Sequence, residues 1–193
     1  MSTFSTISSR SEGIYKEKGS RFLAFAYPVS SEEEIKEILF SLRKDHPKAR
    51  HFCYAYRIGA DKANFKYSDD GEPHNSAGFP IFGQIKSFEL TNILVVVVRY
   101  FGGTKLGVAG LTSAYKESAH DALQNAVIVE DIERENITIK TDYARLSDLM
   151  NYIKENNIRI VEQDLSSDCR IVISVPKEDV NHIKSGLENT GGF

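Results

Sequence analysis

Asn92-Ile93-Leu94-Val95-Val96-Val97-Val98-Arg99-Tyr100-Phe101-Gly102-Gly103-Thr104-Lys105-Leu106-Gly107 is the stretch on which the reading of this chain turns. Asn92–Arg99 has no polar alternation, which predicts a strand buried on both faces. The glycines that follow predict a tight loop. Beyond it Leu111, Ala114, Tyr115, Ser118, Ala119 and Ala122 recur at helical spacing, on a face small enough to pack closely on a sheet. A strand, a glycine loop and a helix in that order present unsatisfied backbone amides in front of the helix, and such an end favours anions. Arg99 and Lys105 bracket the loop and add charge. The spacing from Gly102 to Gly107 is Walker-like, but Val108 stands where a phosphate-binding loop needs Lys, and no G-x-G-x-x-G occurs. Two readings stay open: an anion or nucleic-acid backbone site, and a strand-to-helix turn without a ligand.

Upstream, a ragged tail precedes a strand expected around Phe22–Val29. Ser31-Glu32-Glu33-Glu34 fits a capping box, and Ile35, Ile38, Leu39 and Leu42 behind it give a helix closed by Pro47. His51–Ile58 reads as a strand with a large apolar face (Phe52, Tyr54, Tyr56, Ile58) and a smaller one (His51, Cys53, Ala55, Arg57). Phe65–Tyr67 is a possible partner strand, Asp70-Gly71 a turn, and Ala77–Phe88 a short helix or loop containing Pro80.

Downstream the pattern changes. Residues 1–130 carry net charge +1 and residues 131–193 net −4, giving −3 over the 193 residues. The boundary is expected near Glu130–Glu135, with domains over 1–131 and 132–193. The second segment reads β-α-β-β-α. Ile137–Thr141 is a strand, Asp142 caps a helix with the stripe Leu146, Leu149, Met150 and Ile153, and strands follow at Ile158–Val161 and Arg170–Val175. The turn Asp164–Asp168 joins those two strands, and Pro176 opens a helix carrying Val180, Ile183 and Leu187. This is a split βαβ pattern that stops at Gly191-Gly192-Phe193, before a last strand.

Composition narrows the function classes. Hydrophobic residues at 41% and charged residues at 26% suit a soluble globular chain and not a disordered regulator. No global basic field drives nucleic-acid binding, although a local patch is compatible with these numbers. The 2 cysteines, Cys53 and Cys169, make neither a disulfide framework nor a zinc knuckle. Met1–Lys16 lacks the apolar core of a signal peptide, the longest apolar run is too short to span a bilayer, and the expected location is cytoplasmic without a membrane partner.

Two further clusters carry possible chemistry. Ser68-Asp69-Asp70-Gly71-Glu72-Pro73-His74-Asn75-Ser76 places Asp70, Glu72, His74 and Ser76 where they would ligate a metal, supply acid and base groups, or simply form a solvated turn capping the next helix. His51 and Cys53, two apart on one strand face, would touch one metal ion or form a Cys–His pair. The plain alternative is a buried thiol acting as a small hydrophobe. Neither cluster completes a catalytic or metal set, so no catalytic residue, metal or cofactor is assigned. Tyr100 and Phe101, at the mouth of the loop, are the aromatic rings placed to stack on a base.

Four blocks of this chain resemble the YigZ/IMPACT family. They are Lys18-Gly19-Ser20-Arg21-Phe22, His51-Phe52-Cys53-Tyr54-Ala55-Tyr56-Arg57, the acidic turn Asp70-Gly71-Glu72-Pro73 with Ser76–Ile81, and Val96–Gly107, all in order within about residues 13–126. Two positions depart from the family pattern. Ala109 stands for the first Gly of Gly-Gly-Leu, and Ser113 stands where members often carry Arg.

The resemblance implies an α+β protein of two domains. The first would be like the second domain of a small-subunit ribosomal protein and elongation factor G domain IV. The second would be ferredoxin-like, similar to elongation factor G domain V. It also implies a role in translation: eukaryotic IMPACT-type relatives restrain the amino-acid-starvation kinase by competing for its coactivator, and RNA or ribosome binding is the role suggested for the two-domain form.

The leading expectation is therefore a non-enzymatic RNA- or ribosome-binding protein. Its site would be Arg99, Tyr100, Gly102, Gly103, Thr104, Lys105 and Gly107, with the acidic turn Asp70, Glu72, His74 and Ser76 beside it. The alternatives are a regulator docking a protein partner on the same surface and, last, an enzyme acting on a phosphorylated small molecule.

Overall fold

The computed structural model describes residues 3–166 and 169–189. They form two compact units, one over Thr3–Asp131 and one from Ile132 onward.

The first unit runs β1 (Thr3–Ile7), β2 (Ser11–Glu17), β3 (Ser20–Pro28), α1 (Glu32–Asp45), β4 (His51–Ile58), β5 (Asn64–Ser68), α2 (Gly78–Ser87), β6 (Ile93–Tyr100), α3 (Gly107–Gln124) and β7 (Ile128–Ile132). Strands β2-β3-β6-β4-β5 make one antiparallel sheet with β6 at its centre, so the apolar run has a strand on each side as well as a layer on each face. Val95 and Val97 pack with Ala24, Ala55 and Cys53 against Ile81 and Ile85 of α2 and Ala114 and Ala119 of α3. Leu94, Val96 and Val98 pack with Phe25, Phe52 and Tyr56 against Ile35 and Leu42 of α1. Each such side chain contributes about 1.5–3 kcal/mol on burial, which is why a run without polar alternation takes the centre. The two faces of β4 divide as its sequence predicts, large residues toward α1 and small ones toward α2 and α3.

The amino-terminal segment is not a tail. It forms β1 and β2, and β1 pairs with β7. Strand β2 is polar because it is a sheet edge with one open face. On its other face a Cβ at Gly13 would lie 2.2 Å from the Ala122 nitrogen of α3. The turn from β2 to β3 places Lys18 at φ 45° and Gly19 at φ 78°, the signs of a type I′ hairpin. Likewise the charged stretch around Glu130 is strand, divided between β7 and the start of the second unit.

The second unit runs β8 (Arg134–Thr141), α4 (Tyr143–Glu155), β9 (Arg159–Asp164), β10 (Cys169–Pro176), a 3₁₀ turn (Lys177–Asp179) and α5 (Val180–Asn189). Its sheet order is β8-β10-β9, antiparallel throughout. Ile137, Ile139, Ile171 and Ile173 pack against Leu149 and Ile153 of α4 and Ile183 and Leu187 of α5. The Asp142 carboxylate accepts from the Arg145 amide and caps α4. The last helix starts later than Pro176, because the 3₁₀ turn comes first. Part of the turn expected at Asp164–Asp168, and Gly191–Phe193 with the question of a last strand, lie outside the described residues. No helix among the described residues is long and apolar enough to cross a membrane.

Candidate functional site

The end of β6, the glycine loop and the start of α3 meet the acidic turn around one buried ion pair. Arg99 is flanked in register by Phe22 of β3 and His51 of β4, on the sheet face that carries α2 and α3. Its Nη1 donates to Glu72 Oε1 at 2.6 Å, with the two side chains 8% and 5% exposed. The Tyr115 hydroxyl, from α3, donates to the same oxygen at 2.8 Å. Arg99 is thus already neutralised by a partner from its own chain, and its buried Nε has no acceptor. In so dry a place the pair is weak evidence for net stability, but either ion left alone is expensive.

The acidic turn delivers Glu72 by using its other carboxylates as clamps. Asp69 Oδ1 accepts from the amides of Ala77 and Gly78 at 3.0 and 2.8 Å, and its Oδ2 accepts from Asn75 at 2.8 Å, holding the start of α2. Asp70 Oδ2 accepts from the Phe52 amide of β4 at 2.7 Å, where β5 has already ended, and its Oδ1 accepts from Arg43 at 3.0 Å. Every oxygen of both aspartates is occupied by a donor. The turn is therefore clamped to its own chain and to the start of α2 instead of freely solvated, and no group of three or more His, Cys, Asp or Glu among the described residues is placed to hold a metal. Ser76 is buried and donates to the Pro73 carbonyl at 2.6 Å, while His74 is exposed and lines neither of the clefts described below.

His51 and Cys53 are likewise tied to this turn. The Asp70 carbonyl can only accept, so the 2.9 Å contact puts a proton on His51 Nδ1. Cys53 Sγ donates to the Asp69 carbonyl at 3.0 Å. Burial pushes the Cys53 thiol above its ordinary range; the neighbouring Tyr115 hydroxyl opposes the rise, and Glu72, Asp70 and Asp69 add to it. Burial first, then Cys53 and Glu72, raises the Tyr115 phenol as well. A thiol held protonated is not a nucleophile.

Two clefts next to this pair share Arg99 and Phe101. The larger, about 360 Å³, is lined by Glu72, Pro73, Lys105, Leu106, Val108 and Leu111, and Gly107 of α3. The smaller, about 160 Å³, is lined by Lys48, Arg50, His51 and Tyr100. Phe101 stands between them, 59% exposed, with the Arg99 guanidinium 5.6 Å from its ring centre. Tyr100 points to the other sheet face. There its hydroxyl meets His46 Nδ1 at 2.8 Å and its ring carries Arg21 at 5.1 Å. Of the two aromatic rings expected at the loop mouth, Phe101 is the bare one.

The loop itself, residues 101–105, is exposed throughout. Gly102 is required by packing: a Cβ there would lie 1.9 Å from the Gly19 carbonyl carbon, and its amide donates to Ser20 Oγ at 3.1 Å. Gly103 and Gly107 have open space around them but adopt φ 89° and 73°. No side chain caps α3. Lys48, Arg50 and Lys105 take part in no ion pair among the described residues. Lys48 and Arg50 escaped the sequence reading. They lie in an irregular link after α1, and only the pairing of β4 with β6 brings them beside Phe101.

Comparison with known proteins agrees with this architecture. The Impact N-terminal domain matches residues 18–123, which contain the whole loop, turn and ion-pair constellation. IMPACT family member YvyE of Bacillus subtilis is 34% identical over 162 residues, covering 84% of this chain and 75% of its own. IMPACT family member YigZ of Escherichia coli is 30% identical over 172 residues, covering 88% and 84%. A crystal structure described as that of a hypothetical protein superposes with a TM-score of 0.76 at 28% identity, over 98% of this chain and 93% of the other. With more than half of its length matched by the domain and most of it by such relatives, the chain belongs to the IMPACT family.

Proposed function

We propose that this protein is a non-enzymatic, cytoplasmic RNA- or ribosome-binding protein that modulates translation, and that it binds through the surface around Phe101. The observation that carries the reading is the grouping of Lys48, Arg50 and Lys105, none of them in an ion pair among the described residues, around the exposed Phe101 ring and the bare glycine loop. Cations of this kind contact phosphate, and the loop amides and the uncapped start of α3 favour the same charge. Arg99 acts here by position: paired to Glu72, it holds the floor from which Phe101 projects. Family membership supports the link to translation. The β-α-β-β-α order and the β8-β10-β9 sheet support a ferredoxin-like second domain of the elongation factor G domain V type, and the first unit is read with elongation factor G domain IV. Both are analogies of fold.

Co-sedimentation with purified ribosomes at about 50 and 200 mM salt tests the reading, because phosphate contacts weaken steeply over that range. Pelleting that falls with salt and with Lys48→Ala/Lys105→Ala supports it. Absence of pelleting at either salt overturns it.

One observation favours a second reading, a protein partner. Pro73, Leu106, Val108 and Leu111 give the larger cleft an apolar wall, and Val108 is exposed. A docking segment there would bind with little salt dependence and lose affinity with Val108→Asp.

A further inference from the structure

We propose that the smaller cleft takes one phosphate of single-stranded RNA while a neighbouring base stacks on Phe101, so that the surface selects single strands over duplex. This rests on the RNA-binding reading above and names the form of RNA. At about 160 Å³ the cleft is well below the roughly 300 Å³ at which small-molecule pockets begin, so it accommodates a group and not a whole ligand. Its free cations are Lys48 and Arg50, exposed at the rim and in no ion pair among the described residues, with His51 and the Glu72-paired Arg99 completing the lining. The Glu72 carboxylate that neutralises Arg99 lines the other cleft, not this one. Phe101 borders the cleft with one face toward the Arg99 guanidinium and most of the ring open to solvent. An anion cleft beside one bare ring matches a chain in which a phosphate alternates with a flat base. A duplex keeps its bases stacked on each other and offers no such face.

Fluorescence anisotropy with a labelled single-stranded oligouridylate, and with the same strand annealed to its complement, tests this on the full chain. The wild type is expected to bind the single strand at least tenfold more tightly. Phe101→Ala is expected to lose about tenfold on the single strand with an unchanged salt slope, and Phe101→Trp to restore it. Lys48→Ala/Arg50→Ala is expected to lower the salt slope by about 0.7, the share of the one phosphate the cleft takes. Equal affinity for both forms, with Phe101→Ala silent, overturns the proposal and leaves charge-driven RNA binding standing. Binding to neither form overturns it too. Pelleting with ribosomes would then keep the broader reading, and its absence would remove both.

Discussion

Arg99 and Tyr115, from a central strand and from the helix that follows it, converge on a single oxygen of Glu72, at 2.6 and 2.8 Å. The turn that supplies Glu72 is held in turn by Asp69 and Asp70. The charged centre of this protein is therefore a joint between sheet, helix and turn, and its separate parts are open to test.

Breaking the joint from one side should be costly. Glu72→Ala leaves the Arg99 guanidinium buried without its counter-charge, and about 3–5 kcal/mol of stability should be lost in urea denaturation. Arg99→Met/Glu72→Leu removes both ions and should recover most of that. A loss no greater than for an ordinary surface change would show that the pair is wetter than its geometry indicates.

Ribosome or RNA binding and stability should separate at the rim. Lys105→Ala is expected to change stability by less than about 0.5 kcal/mol, as an exposed side chain outside any ion pair among the described residues, while reducing salt-sensitive association. Arg99→Ala is expected to reduce both, and so is a poor probe of binding on its own.

The glycines of the loop should fail for different reasons. Gly102→Ala drives a methyl group into the backbone of Gly19 and should cost roughly 1–3 kcal/mol, with shifted amide resonances in the Lys18–Ser20 turn. Gly103→Ala meets nothing, and should cost about 1–2 kcal/mol through its positive φ alone, leaving that turn unshifted.

Alkaline pH should destabilise the first unit. Burial raises the Cys53 thiol and the Tyr115 phenol in the folded chain above their ordinary values of 9.0 and 10.0. Below those values both states are protonated and the contribution is complete. Above them the unfolded chain loses protons that the folded chain keeps, and stability falls by up to about 1.4 kcal/mol per pH unit for each group. Urea midpoints at pH 8, 9.5 and 10.5 should decline, and Tyr115→Phe should flatten the upper part of the slope.

Both cysteines are buried, and Cys53 is held protonated. A thiol-reactive chromophore should leave the native protein unmodified at neutral pH and label both positions in denaturant. Rapid labelling of Cys53 in the native state would mean that the turn around Asp69 opens readily.

The central strand and the packed face of α3 were legible because burial writes itself as hydrophobic period: Val95–Val98 and Leu111–Ala122 needed no context. Strands β1, β2 and β7 were not: β2 is an edge carrying Ser, Glu and Lys in no distinctive rhythm, and β1 and β7 are five residues each and pair across more than a hundred positions. The site was legible in its members more than in its roles. Arg99 and Glu72 stood out as charges, yet nothing local says that two residues 27 apart neutralise each other in the interior. Asp69 and Asp70 resemble a solvated turn in sequence because a carboxylate clamping backbone amides uses donors that every sequence has. Lys48 and Arg50 became visible only through strand register, which is a long-range property.

The seating of the Lys18-Gly19 turn on Gly102 has a consequence for the order in which this protein is made. The hairpin of β2 and β3 is local and can close as soon as its residues leave the ribosome, whereas the glycine loop is 83 positions further along. The loop therefore finds its shape against a surface that already exists, and the larger cleft beside Phe101, walled by Val108 and Leu111, appears only after α3 has docked. A nascent chain of this protein lacks the Arg99–Glu72–Tyr115 joint until α3 has emerged.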